Sequence, residues 1–83
     1  MSKRLFVGSI AWATTDATLK SHFEQVGGVE SAAVIIDKMS GRSKGFGFVE
    51  MTNDADAQTA VDKLNGSELD GRKIVVSEAR PKQ

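Results

Sequence analysis

The chain has 83 residues, no cysteine, and 11 basic against 11 acidic side chains, for a formal net charge of zero. This length supports one small domain that buries about two thirds of its unfolded surface, and the absence of thiols excludes disulfides and thiolate metal sites. No apolar run approaches the roughly 20 residues of a membrane span, and Met1-Ser2-Lys3-Arg4 leads into a strand rather than a signal-peptide core, so a soluble, monomeric, cytoplasmic protein is expected.

The first strand is Leu5-Phe6-Val7-Gly8-Ser9-Ile10, in which Leu5 and Val7 share one face while Phe6 and Gly8 share the other. Thr14-Thr15-Asp16 offers capping groups, after which Ala17, Leu19, Phe23 and Val26 recur at helical spacing until Gly27-Gly28 ends the helix. Residues Val29 to Asp37 are β-branched and apolar enough for a second strand, and Met39-Ser40-Gly41-Arg42-Ser43 reads as a turn. The third strand follows as Lys44-Gly45-Phe46-Gly47-Phe48-Val49-Glu50-Met51. Asn53 or Asp54 caps a second helix with Ala57, Ala60, Val61 and Leu64 as its apolar stripe, closed by Asn65-Gly66. Asp70-Gly71 then turns the chain into a last strand, Arg72 to Ala79, with Ile74 and Val76 inward. The order βαββαβ predicts an α+β, ferredoxin-like sandwich: a four-stranded antiparallel sheet with two helices on one face. The domain spans the chain, with a core over about residues 3–80, and contains no repeat or low-complexity segment.

The third strand carries the most chemical information. Phe46 and Phe48 point one way, while Val49 and Met51 lie on the opposite side and already supply core residues. Burying the phenylalanines would expose Leu5, Val7, Val49 and Met51, so the rings are expected to face solvent, with Phe6 as a third ring on the neighbouring strand. Exposed aromatics beside a cation form a stacking platform, because every nucleobase has a π-face and every nucleotide a phosphate. By the same alternation Ile35, Val75 and Ser77 face outward and make an apolar floor.

These two runs resemble the hexamer and octamer motifs of the RNA recognition motif family, whose octamer reads K/R-G-F/Y-G/A-F-V-x-F/Y. A chance match to the first six octamer positions is on the order of one in a million per starting point, judged from average residue usage. The resemblance implies that Phe6 and Phe48 each stack under a base, that Phe46 lies against sugars between them, and that Lys44 binds a phosphate. It implies a single-stranded RNA partner, with single-stranded DNA able to stack on the same rings, and no cofactor. It extends to small one-motif RNA-binding proteins of bacteria, with RNA-chaperone or post-transcriptional regulatory roles. Two positions depart from the pattern. Met51 stands where the octamer has an aromatic, and Ser9 stands where the hexamer often has Asn, which bears on the loop from Ile10 to Trp12.

Arg4, Arg42, Arg80 and Ser77 complete the expected contact set, together with Trp12, which either caps the core or reaches a base. Lys3, Lys38, Arg72 and Lys73 also fall on or beside strands, whereas Asp16, Glu24, Asp54, Asp56 and Asp62 fall on helices. A basic front and an acidic back follow, blemished by Glu50 projecting from the platform itself. His22 is the sole histidine and has no companions for a metal site, so a structural place is expected for it. Gly45 and Gly47 do not make a nucleotide-binding loop, since no third glycine or helix follows.

Two other classes of function compete. Domains of this resemblance also bind peptides through a helical face, and acidic helices suit that use, although peptide binders usually lose the octamer aromatics that are intact here. An acylphosphatase-like hydrolase on the same architecture needs an anion-cradling loop with Arg and an amide, and Ser9-Ile10-Ala11-Trp12 offers neither. With no paired carboxylates, activated nucleophile or metal cluster in view, a non-enzymatic binder is expected.

Overall fold

Alternating apolar residues on two neighbouring strands set the layers of this molecule. The computed structural model describes residues 3–41 and 43–79, with the backbone alone at residues 43 and 44. Its elements are β1 (Arg4–Gly8), α1 (Asp16–Glu24), β2 (Val29–Ile36), β3 (Ser43–Met51), α2 (Asp54–Leu64), β4 (Glu68–Leu69), β5 (Arg72–Lys73) and β6 (Val75–Glu78). β2, β3, β1 and β6 form an antiparallel sheet in that order, so the strands bearing the two motifs are its central pair. Both helices cover one face, α1 against β2 and α2 against β6. This is the ferredoxin-like sandwich that the element order implied.

Between the layers lie Leu5, Val7, Leu19, Phe23, Val49, Met51 and Ile74, all fully buried. Burying such side chains contributes roughly 1.5–3 kcal/mol each before chain entropy is set against it. Met51 at the last octamer position points into this core and takes up the space there, as its alternation demands.

α1 is shorter than the apolar spacing suggested. Thr15 caps it in a box with Thr18, and the helix stops at Glu24 with Gln25 as C-cap, so Val26 lies beyond it. The last turn tightens, with the Val26 amide donating to the Phe23 carbonyl at 3.2 Å, an i to i−3 bond that ends the α-ladder before the glycines are reached. Val26 packs on the core from this turn, whereas Ala17, expected in the stripe, is exposed. For α2 the cap is Asn53, whose Oδ1 accepts the Asp56 amide at 2.8 Å. Ala57, Ala60 and Leu64 are buried as expected, and Val61 is half-buried.

The expected last strand, Arg72 to Ala79, is two pieces. Asp70 and Gly71 both have positive φ (52° and 83°), the requirement of the tight type I′ turn that Asp-Gly favours. That turn folds Arg72–Lys73 back on Glu68–Leu69 as a separate two-stranded ribbon. The Ile74 amide still donates to the Ser67 carbonyl at 2.9 Å, so pairing with β1 begins only at Val75. Arg72 and Lys73 consequently lie outside the four-stranded sheet.

Side chains tie the loops to this frame. The Asp16 carboxylate, in the first turn of α1, accepts the Val34 backbone amide at 2.7 Å and so satisfies a donor on the edge strand β2. Thr14 is buried and its hydroxyl donates to Asp70 at 2.7 Å, joining the β1–α1 loop to the ribbon turn. Asn65 accepts the Val76 amide at 3.0 Å and links the end of α2 to β6. The Ser67 hydroxyl donates to the Leu64 carbonyl at 2.6 Å, which leaves its oxygen to accept from His22 Nε2 at 2.9 Å. His22 Nδ1 faces the Gln25 amide nitrogen at 3.3 Å and accepts from it, so the neutral ring has both nitrogens satisfied.

Two outcomes are expected from these tethers. Asp16→Ala strips a charged acceptor from a strand amide and should lower stability by about 1.5–3 kcal/mol, read by urea denaturation. Burial lowers the His22 pKa from the ordinary 6.5, opposed in part by the nearby Asp70 carboxylate. The unfolded chain therefore takes up the proton first, and the stabilising contribution, complete above about pH 6.5, is lost as pH falls through the folded-state value. The denaturation midpoint should decline between pH 7 and pH 5 in the parent and decline less in His22→Gln.

Candidate nucleic-acid interface

The face of the sheet that the helices leave open carries the three rings together. In register, Phe6 lies opposite Phe48 and Gly8 opposite Phe46, so the rings arise from adjacent positions on β1 and β3. Phe6 and Phe46 stack at 5.8 Å between centroids with planes 29° apart. Phe48 meets Phe6 edge-on at 5.9 Å and Phe46 at 6.2 Å. Each ring is half-buried rather than fully exposed, because the three pack against one another and Arg4 lies over Phe48.

Gly47, between the two octamer rings, is fixed by sterics. A Cβ there would run into the Ala33 carbonyl oxygen of β2, so this central crossing of β2 and β3 accepts no side chain. The hexamer departure also has a visible backbone: Ser9 has a φ of 58°, a left-handed conformation that Asn enters more readily than Ser. The strand exit is nevertheless held, with the Ile10 amide donating to the Gly45 carbonyl at 2.8 Å and Ile10 buried.

Around the rings stand polar groups from all four strands of the sheet. The Arg4 guanidinium lies 4.5 Å from the Phe48 centroid, a cation–π contact. Ser77 is exposed on β6 directly opposite Phe6, and Val75, 48% exposed, lies opposite Gly8. Glu50 is exposed and in register with Arg4 on one side and Ser31 on the other. Ser31 and Ala33 share the open face with Ile35 and were not singled out by sequence, although the same alternation that found Ile35 reaches them. Arg42 and Arg80, and the side chain of Lys44, lie outside the described residues.

Trp12 is not brought to the rings. It is 81% exposed and lines a groove with Thr15, Asp16, Val34 and Ile36, where the start of α1 meets the edge strand. It is thus no cap on the core, which Ile10 and Ala11 fill from the same loop. Among the described residues no group of three or more His, Asp or Glu side chains is placed to hold a metal, and no helix is long and apolar enough to cross a membrane.

A helix-backed antiparallel sheet presenting clustered aromatics on its two central strands defines a class of sheet-platform binding domains. Comparison with known proteins makes the assignment specific: the RNA recognition motif profile matches residues 5–75, and the chain belongs to that family. It is similar to a chloroplastic 29 kDa ribonucleoprotein of Arabidopsis thaliana, 50% identical over 92% of this chain and 22% of that protein. It is likewise similar to glycine-rich RNA-binding protein 10 of Brassica napus, 49% identical over 93% of this chain and 46% of that protein. The chain thus spans less than half the length of either relative. Among solved structures, a Sxl-lethal protein/RNA complex superposes with a TM-score of 0.91 at 30% identity, covering all of this chain and 50% of that one.

Proposed function

We propose that this chain binds single-stranded RNA across the open face of its sheet, without enzymatic activity. The observation that carries the reading is the cluster of Phe6, Phe46 and Phe48 on the central strands, with the Arg4 guanidinium beside it. Phe6 and Phe48 stack under bases, Phe46 lies against sugars, and Ser77 offers a hydroxyl to a base or ribose. Arg4, Lys44, Arg42 and Arg80 neutralise phosphates. The relatives' names and the RNA-bound structural neighbour support this partner. A role in post-transcriptional regulation or as an RNA chaperone, action as a monomer and a cytoplasmic location belong to the same proposal. The chloroplastic relative marks an organelle as the competing compartment.

A second reading, protein contact away from the platform, is favoured by exposed Trp12 in its groove beside the acidic first turn of α1.

Phe48→Ala should weaken binding to short single-stranded RNA by about ten- to a hundredfold, from the roughly 1–3 kcal/mol per stacked base, with affinity falling as salt rises. Unchanged affinity in fluorescence anisotropy would refute the stacking mechanism. Trp12→Ala should leave RNA affinity within about twofold of the parent, because Trp12 lines the groove between α1 and β2 rather than the hollow beside Phe48.

A further inference from the structure

Beside Phe48 the open face dips into a hollow of about 270 Å³, lined by Arg4, Ser31, Ala33, Ile35, Phe48 and Glu50. It is smaller than the usual pocket for a drug-sized ligand. Its floor is apolar and one wall is an aromatic ring, while its rim carries a guanidinium and a carboxylate. A carboxylate on a surface meant only to hold phosphates is out of place, since it repels them. It becomes intelligible as a reader of base edges.

An ionised carboxylate only accepts hydrogen bonds, and its two oxygens can accept two side by side. Guanine presents that match on its Watson–Crick edge: the N1–H and the exocyclic N2 amine are adjacent donors, and O6 beside them is an acceptor. Adenine and cytosine set one amine donor next to a ring-nitrogen acceptor, which would place a lone pair against the carboxylate. Uracil offers one N–H between two carbonyls. The guanidinium of Arg4, on the same rim, supplies donors of the kind O6 needs. Resting on the RNA-platform reading above, we infer that this hollow is a guanine-selective subsite, with Glu50 accepting from N1–H and N2 of a base stacked on Phe48. Glu50 is then the specificity-determining residue of the platform.

The test compares short oligouridylates carrying one central guanine, adenine or cytosine, and the all-uridine control, against the parent, Glu50→Gln, Glu50→Ala and Phe48→Ala. Because Glu50 is exposed, these variants at that position should keep the parent's unfolding temperature. The parent should favour the guanine oligonucleotide by about tenfold or more, the scale of a good bidentate contact. Glu50→Ala should erase that preference. Glu50→Gln should redirect it toward adenine or cytosine, because an amide offers one donor beside one acceptor. Equal binding of all four oligonucleotides by the parent, or a guanine preference that survives Glu50→Gln, overturns the subsite while leaving the platform intact. A uniform rise in affinity for all four in Glu50→Gln shows a carboxylate that merely repels phosphate and also overturns it. Failure of every oligonucleotide to bind, with Phe48→Ala no different from the parent, sinks the platform reading itself.

Discussion

The opposition of the two faces of β1 and β3 is the constraint on which the rest of the structure depends. Leu5, Val7, Val49 and Met51 must point toward the helices, since they are fully buried there. A strand's side chains alternate with a period of two, so once those residues are inward Phe6, Phe46 and Phe48 have only the open face left. A one-residue slip in either strand would move every ring inward and every core residue outward. The packing energy of the core therefore enforces the exposure of the aromatics. The aromatic face adds no separate folding problem; it is the reverse side of the core.

This coupling explains how much of the molecule was legible in sequence. Elements governed by alternation or helical spacing, such as β1, β3 and the buried stripe of α2, follow from the residues themselves. What sequence alone missed depends on which partner each backbone donor finds. The end of α1 was read from Gly27-Gly28, but the Phe23 carbonyl takes the Val26 amide and closes the helix first. Arg72 to Ala79 looks like one β-prone run. Only the hydrogen bonds from the Ile74 amide to the Ser67 carbonyl and from the Gly66 amide to the Ile74 carbonyl divide it into ribbon and sheet strand. Asp16 reads as a capping group, yet Thr15 is the cap, and the Asp16 carboxylate is spent on the amide of Val34, 18 residues away. Trp12 could not be placed by periodicity because it lies in a loop.

Charge distribution separates affinity from selectivity on this surface. With a net charge of zero, long-range attraction for a polyanion is weak, and local cations must supply the electrostatic part. Arg72 and Lys73, which seemed to add to that part, are drawn off into the ribbon. Glu50 subtracts further from it, in register with Arg4 at the end of the central strand pair. Facing Arg4 across the strands, Glu50 is placed for a cross-strand charge pair, and general affinity for phosphates gains nothing from it. A surface that distinguishes bases does gain, because discrimination comes from groups that reject the wrong partner as well as from those that hold the right one.

Arg4 lies over the ring that a base would need. Over Phe48 its guanidinium occupies the space a stacked base would take, through a contact worth about 0.5–1 kcal/mol at an exposed site. Base stacking on an aromatic is worth roughly 1–3 kcal/mol, so a base displaces the guanidinium at a net gain. The displaced side chain keeps its charge and its five donors, and it lies at the edge of the same hollow, within the reach of a base or its phosphate. In the unbound structure Arg4 covers the apolar face of Phe48. Should RNA bind as proposed, the same residue would pass from covering the ring to contacting the ligand, so a neutral chain would keep an aromatic platform shielded without a separate lid.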